Sequence, residues 1–349
     1  MQNINNEIPQ EDKINKCGLA NLGNTCFINS MLQVLLVIPE LNNLLNDKSY
    51  KNSLNNDINS LLLIEWDSLR ETMINENNCV ISPNRFLAVI QHIAKIKGIN
   101  IFTGYYQNDV QEFFLFLIDC FHLALKKNVN IEISGVSQTE KDELAIKCYQ
   151  IIKQRYEKDY SLIFNIFYGI CVSQIFSEND ELISSCPEPF YSINMPLPSL
   201  NVNKNPSLED CFQLYTSMEI LDGDNMYFYE KHDTKIKAKK NVLFWSLPKI
   251  LLIDLKRFNN NVTKLQQLLN FPLNLDLSKY VIGYNPEQYV YDLIGILNHS
   301  GGVSGGHYTS FVKDNNQWYL CNDTKIIKIN DESQLITPKA YCLFYRKRE

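Results

Sequence analysis

Gly18-Leu19-Ala20-Asn21-Leu22-Gly23-Asn24-Thr25-Cys26-Phe27-Ile28-Asn29-Ser30 carries more structural information than any other stretch of the chain. A polar, glycine-containing turn runs directly into an apolar, helix-like segment from Phe27 to Val37. That order of residues predicts a thiol, Cys26, at or just before a helix N-terminus. Unpaired backbone N–H groups and the helix dipole favour negative charge there, so the position favours a thiolate. Far downstream lie Gly305-Gly306-His307-Tyr308 and Trp318-Tyr319-Leu320-Cys321-Asn322-Asp323. One cysteine with a distant His and a distant Asn/Asp is the pattern of a nucleophile assembled by the fold.

The rest of the composition sets bounds. The chain has 349 residues, 45% hydrophobic and 21% charged, which suits a soluble globular protein of one large lobed domain or two small ones. A net charge of −6 weighs against nucleic acid as the main partner. The ten cysteines are scattered and form no CxxC pair, unlike a small disulfide scaffold. Met1 to Lys16 is polar, with no apolar signal core, and no apolar run is long enough to span a bilayer. The expectation is a monomeric protein of a reducing intracellular compartment, cytoplasmic and/or nuclear, with no membrane partner.

Helical patterns fill the first third. They cover Cys26 to about Val37, Asp57 to Met73, a stretch from Pro83 carrying Phe86, Ile90 and Ile93, then Val110 to Lys126 and residues 138–158. The fourth is apolar almost all round at Phe113 to Leu117, which predicts a buried central helix. After Asp159 the texture turns to short β-rich runs: Ile166–Phe176, Phe190–Met195, Met226–Tyr229, Val242–Trp245, Ile250–Leu255, Tyr289–Leu297, Tyr308–Val312 and Trp318–Cys321. One helix, Leu208 to Thr216 with Ser207 as cap, interrupts them. Helices first and strands later predict an α+β architecture of two lobes with a groove between. Asn-rich stretches at 42–59 and 201–205, and the run Asn259-Asn260-Asn261, are the low-complexity features.

Of the five histidines, His92 and His122 fall in helical patterns and His232 lies among charges. His307 follows a glycine-rich segment, residues 301–306, able to take unusual backbone angles and to approach a ligand closely. His suits a group that takes and returns a proton near neutral pH. Asn322 or Asp323 can orient its ring through Nδ1–H, because the strand Trp318–Cys321 reads as the partner of the strand after His307. For a developing oxyanion, the donors on offer are the Cys26 backbone N–H and the Asn21 side chain.

These residues resemble a family. Gly18-Leu19-x-Asn21-Leu22-Gly23-Asn24-Thr25-Cys26-Phe27-x-Asn29-Ser30-x-Leu32-Gln33 is similar to the Cys box of ubiquitin-specific proteases. His299-Ser300-Gly301, Gly306-His307-Tyr308-Thr309, Trp318-Tyr319 and Asn322-Asp323 resemble their His box. Gly104-Tyr105-x-Gln107-Asn108-Asp109-x-Gln111-Glu112-Phe113 resembles their Gln/Asp box. Leu247-Pro248-x-Ile250-Leu251, Leu255-Lys256-Arg257-Phe258, Phe271-Pro272 and Leu343-Phe344-Tyr345-Arg346 complete a match that runs in family order over nearly the whole chain.

The resemblance implies a papain-like cysteine protease fold with a helical thumb, a β-rich palm and β fingers. After a polar segment at 1–16, a single catalytic domain would span 17–349, with the thumb at about 17–160 and palm and fingers at about 161–349. It implies thiol-dependent cleavage after the C-terminal glycine of ubiquitin, with ubiquitin and ubiquitinated proteins as partners and no cofactor. By position, Cys26 is the nucleophile, His307 the base and acid, Asn322 the orienting member, Asp323 its helper and Asn21 the oxyanion donor. Asp109, Glu112, Gln107, His299 and Tyr308 would bind substrate. Asp109 and Glu112, three apart on one helix, share a face and can pair with arginines of an extended tail. The glycine-rich segment 301–306 would be a flexible loop beside the tail channel.

One departure is clear. Many members hold zinc in the fingers through two CxxC pairs, where this chain has Phe176-Ser177-Glu178-Asn179 and Tyr229-Glu230-Lys231-His232. A lone His is not a structural zinc site, so no metal is expected. A protease for a ubiquitin-like modifier and an inactive ubiquitin-binding module are the competing readings. The second predicts a substituted Cys, His or Asn, and all three are present.

Overall fold

Residues 16–199, 205–259, 263–302 and 305–349 are described by the computed structural model of the chain. The polar leader, most of the Asn-rich stretch at 201–205, Asn260-Asn261 and the centre of the glycine-rich segment at 303–304 lie outside them.

The helical patterns form a helical lobe. A short strand β1 (Gly18–Leu19) leads through the cysteine loop to α1 (Cys26–Leu36), then α2 (Pro39–Asn46), α3 (Asn59–Asn75), β2 (Val80–Ile81), α4 (Asn84–Ile96), α5 (Val110–Leu125), α6 (Glu140–Tyr156) and α7 (Leu162–Phe167). Asp109 starts α5 by accepting from the backbone N–H groups of Gln111 and Glu112, which satisfies two orphan donors of the first turn. The helix is buried along most of its circumference. Phe113 meets Phe27 of α1 edge-on at 5.2 Å, and Phe114 meets Phe167 at 5.5 Å. Each such fully buried side chain contributes about 1.5–3 kcal/mol relative to an exposed one. Ile166 and Phe167, expected in a strand, close α7 instead, because Phe167 is fully buried against the central helix.

The strands follow: β3 (Gly169–Phe176), β4 (Leu182–Phe190) and β5 (Ser192–Met195), then α8 (Leu208–Thr216), β6 (Glu219–Leu221), β7 (Tyr227–Tyr229), β8 (Thr234–Ile236), β9 (Ala238–Ser246), β10 (Ile250–Leu255), β11 (Asn274–Asp276), β12 (Val290–Gly302), β13 (Gly305–Asp314), β14 (Gln317–Asn322), β15 (Lys325–Ile329) and β16 (Ala340–Lys347). Among the described residues the main sheet runs β15-β14-β13-β12-β16-β10-β5, with β11 added on β12. One face packs on the helical lobe, with Leu252 and Phe344 among its contributions to that core. The other face shares a second core with Phe212 of α8, to which the sheet contributes Leu251, Ile253, Leu343 and Tyr345.

A further sheet, β4-β3-β9-β6, and the hairpin β7-β8 form the finger region. β4 is not legible in the sequence pattern because Pro187 and Pro189 interrupt it. It is an edge strand, where a missing N–H is tolerated.

Two features of the main sheet prepare the site. α1 lies against β12, β13 and β14. At Gly295 any Cβ would come within 3.0 Å of Val34, so glycine permits that approach. The β12–β13 ladder pairs His299 with Tyr308 and continues to Gly302 with Gly305, so the glycines expected in a loop on either side of 303–304 are paired strand. Among the described residues no single helix is long and apolar enough to cross a membrane.

Candidate active site

Cys26 is the first residue of α1. The loop before it is shaped by its own side chains. Asn21 Oδ1 accepts from the N–H groups of Gly23 and Thr25, both at 3.1 Å, and Thr25 Oγ1 accepts from Leu22 N–H at 2.8 Å. Gly23 (φ 100°) and Asn24 (φ 56°) take successive left-handed conformations, which the Gly-Asn pair accepts at little steric cost. Thr25 stands at the N-cap, but its hydroxyl serves the loop and not the helix. Asn29, one turn after the thiol, ties α1 back to the loop through the carbonyls of Leu19 and Ala20, and Gln33 donates to the Cys17 carbonyl at 2.9 Å. These anchoring roles of Asn29 and Gln33 have no local signal in the sequence.

Cys26 is 2% exposed, and burial pushes its thiol up from the ordinary value. Backbone hydrogen bonding from Tyr308, Phe27 and Cys26 itself pulls the other way, while the Asp323 charge adds to the rise. The helix start is expected to favour the thiolate, and burial outweighs it here.

The Tyr308 backbone reaches the Cys26 thiol, and His307 precedes Tyr308 on β13, so the strand segment that carries the imidazole packs against the start of α1. Antiparallel pairing of Ser310 with Cys321 brings Asn322 alongside His307, where Asn322 Oδ1 lies 2.7 Å from Nε2. An amide oxygen only accepts, so Nε2 carries the proton and Nδ1 is the free basic nitrogen. The orienting contact thus uses Nε2, not the expected Nδ1.

Asp323 is also placed differently from expectation. Its backbone is left-handed (φ 48°), and its carboxylate is taken up by two asparagines of the cysteine segment. Oδ1 accepts from Asn29 Nδ2 at 2.8 Å and Oδ2 from Asn21 Nδ2 at 3.0 Å, while its carbonyl accepts from Leu19 N–H. It holds the cysteine loop, not the imidazole. Asn21 correspondingly spends one amide hydrogen on Asp323.

The expected substrate-binding residues divide. Asp109 has both oxygens engaged within the chain, Oδ1 in capping α5 and Oδ2 accepting from Tyr341 Oη at 2.6 Å. Glu112 is exposed, and partial desolvation of its carboxyl with the Asp109 charge beside it raises its pKa. Its carboxylate has no ion-pair partner among the described residues. His299 and Tyr308 are 5% and 6% exposed and pack at 4.6 Å in an aromatic cluster with Phe258 and Tyr341, so they offer little free surface to a ligand. Lys264 Nζ lies 2.9 Å from His299 Nδ1. Burial and that cation lower His299 to about 4, which keeps the ring neutral. Gln107 bonds to Gly306 and reaches Asn24.

Asp254 on β10, not singled out by the sequence, joins this group. Burial and the Asp109 charge raise it to about 7, against an opposing hydrogen bond from Cys342.

The segments that would carry zinc do not fit a metal. Phe176, Asn179 and Tyr229 offer no ligand beside His232, whose ring packs on Tyr229 at 5.1 Å. Ser177 Oγ instead accepts from the N–H groups of Asn179 and Glu181, and Lys239 pairs with Asp180 at 2.7 Å. Among the described residues no three His, Cys, Asp or Glu side chains group to hold an ion.

A helical lobe that starts α1 with Cys26, packed on a sheet that pairs His307 with Asn322, is the arrangement of the cysteine-peptidase class of fold. The family pattern described as Ubiquitin carboxyl-terminal hydrolase matches residues 17–345, and the chain belongs to that family. Human ubiquitin carboxyl-terminal hydrolase 2 is 32% identical over 342 residues, covering 94% of this chain and 54% of the relative. Ubiquitin carboxyl-terminal hydrolase 5 of Saccharomyces cerevisiae is 30% identical over 360 residues, covering 95% and 44%. The chain spans about half the length of the curated relatives it matches. Among solved structures, the SAGA Ubp8/Sgf11/Sus1/Sgf73 DUB module bound to ubiquitin aldehyde superimposes with a TM-score of 0.72 at 22% identity, covering 95% of this chain and 70% of that one. That likeness establishes the ubiquitin-specific protease fold.

Proposed function

We propose that the chain is a thiol-dependent deubiquitinase that hydrolyses isopeptide or peptide bonds after the C-terminal glycine of ubiquitin. The observation that carries this is Asn322 Oδ1 at 2.7 Å from His307 Nε2, on the strand that packs against the start of α1. Family membership supports the substrate, as do the solved modules described as bound to monoubiquitin and to ubiquitin aldehyde.

The chemistry follows from the tautomer. His307 Nδ1 takes the Cys26 proton as the sulfur attacks the carbonyl carbon of the terminal glycine. The developing oxyanion is met by the Cys26 N–H, which has no partner within the helix, and by the second amide hydrogen of Asn21. His307 then returns the proton to the leaving amine. Water, deprotonated by the same nitrogen, hydrolyses the thioester and frees the thiol. Asp323 holds the Asn21 amide during both steps. Glu112, with Asp109 behind it, offers negative charge to a tail arginine. Ubiquitinated proteins are the proposed substrates. The proposed setting is a monomer in a reducing intracellular compartment, cytoplasmic and/or nuclear, supported by ten cysteines outside any cysteine-dense scaffold.

Cys26→Ala is expected to abolish release of the fluorophore from ubiquitin–AMC and to retain ubiquitin binding. Full turnover by this variant would refute the mechanism. A panel of C-terminal activity probes tests the substrate: labelling by a ubiquitin-like modifier and not by ubiquitin would move the assignment to that modifier.

A further inference from the structure

The resemblance assigns Gln107 to substrate, but its carboxamide is already committed elsewhere. Nε2 donates to the Gly306 carbonyl at 2.8 Å, and the Gly306 N–H donates back to Oε1. This is the pair of bonds that a neighbouring antiparallel strand makes with one residue. The β13–β14 pairing starts only at Ser310, so among the described residues the edge of β13 at Gly306 has no strand partner on that side. A side-chain amide takes the place of a peptide group.

Gly306 is fixed from a second direction as well. A Cβ there would collide with His299 Nε2, so the backbone rests directly on a ring that Lys264 holds from its far nitrogen. Gln107 Nε2 also reaches Asn24 Oδ1 at 3.4 Å, and Asn24 Nδ2 donates to the Tyr105 carbonyl at 2.9 Å. Gly23 packs on the Tyr105 ring. Gly306 precedes His307 by one residue, and Asn24 precedes Cys26 by two. One loop, residues 104–108, therefore grips both segments that carry the reacting side chains.

We propose that Gln107 is a positioning residue, which acts through Gly306 and Asn24 to hold His307 at working distance from Cys26. The proposal rests on the reading of Cys26 and His307 as the catalytic pair. It replaces a contact with substrate by a brace between the two halves of the pair. A misplacement of about 1 Å at such a pair can cost about 10²-fold in rate.

The test uses the full chain with Gln107→Ala and Gln107→Glu. The glutamate keeps an acceptor for the Gly306 N–H but has no hydrogen for the carbonyl. With ubiquitin–AMC, kcat is expected to fall about tenfold to a hundredfold in the alanine variant, with KM within about twofold. The second readout needs no ubiquitin: the pH profile of Cys26 alkylation by iodoacetamide. Its inflection is expected to move in Gln107→Ala toward the profile of His307→Ala, with Gln107→Glu moving the same way. Thermal melts confirm that both variants fold. A rise in KM alone, with an unmoved alkylation profile, would make Gln107 a tail-binding residue and overturn the brace. So would a wild-type profile equal to that of His307→Ala. Loss of ubiquitin hydrolysis as the protein's activity would leave the alkylation result standing, which separates the two failures.

Discussion

Replacing Asp254 by Asn is expected to stabilise the protein at high pH and to leave it nearly unchanged at low pH. Asp254 sits on β10 opposite Cys342 of β16, with the Asp109 carboxylate as its like-charged neighbour. Burial first, and that charge second, raise it from 3.8 to about 7. The folded chain therefore keeps a proton that the unfolded chain releases between about pH 4 and pH 7. Stability from this group is greatest below the unfolded pKa, falls as pH rises through that window, and is flat above it. That displacement corresponds to about 4 kcal/mol at most, and relaxation around the carboxylate brings the expected effect to roughly 2–4 kcal/mol. For a chain of 349 residues that is a melting shift of roughly 3–5 °C. Asn keeps the size and cannot ionise. Thermal melts of wild type and Asp254→Asn at about pH 4 and about pH 8 measure it. The variant should melt within about 1 °C of wild type at the lower pH and roughly 3–5 °C above it at the higher. An equal shift at both pH values, or a variant less stable at the higher one, would refute the reasoning.

Asn322→Ala should remove a large part of the ~10²–10⁴ that a positioned general base contributes, because Asp323 is occupied by Asn21 and Asn29. Progress curves with ubiquitin–AMC check this, and retention of more than half the activity would show that Asp323 stands in. Asp109→Ala should cost about 1–3 kcal/mol of stability, since it loses both a helix cap and the Tyr341 bond, and should raise KM. Glu112→Ala should raise KM with stability within about 0.5 kcal/mol. Urea melts beside Michaelis curves separate the two, and equal destabilisation would contradict the assigned roles.

Local patterns made much of the fold legible. The run Phe113 to Leu117 is buried because the chain closes helices and a sheet around it, and uninterrupted apolarity signals that condition directly. The approach of Asn322 to His307 follows from two strand patterns and an antiparallel hairpin, all local quantities. What escaped depends on contacts distant in sequence. Nothing near Asp323 announces that a left-handed backbone aims its carboxylate at residues 302 and 294 positions away. Asp254 reads as one polar residue in an apolar strand, and its shift comes first from tertiary burial and second from Asp109, which the start of α5 places beside it. Ile166 and Phe167 suited a strand by composition and became helix because tertiary burial outweighed propensity.

The thiol itself shows why the motif is longer than its chemistry requires. A helix N-terminus contributes about 0.3–1 kcal/mol to a nearby negative charge, and up to ~2 kcal/mol in favourable buried geometry. That is about one pKa unit, and at Cys26 burial outweighs it. A buried thiol can therefore serve as nucleophile only if a base reaches it, and the base here belongs to a different lobe. Its arrival depends on the loop 18–25, the strand edge at Gly306 and the turn at Asp323 keeping fixed relative positions. Asn21 and Asn29 hold the loop and α1 to Asp323, and Gln107 holds Asn24 of the loop to Gly306. The side chains that surround the reacting trio in the sequence motifs thus act mostly on one variable, the separation of sulfur and imidazole, which burial of the thiol makes decisive.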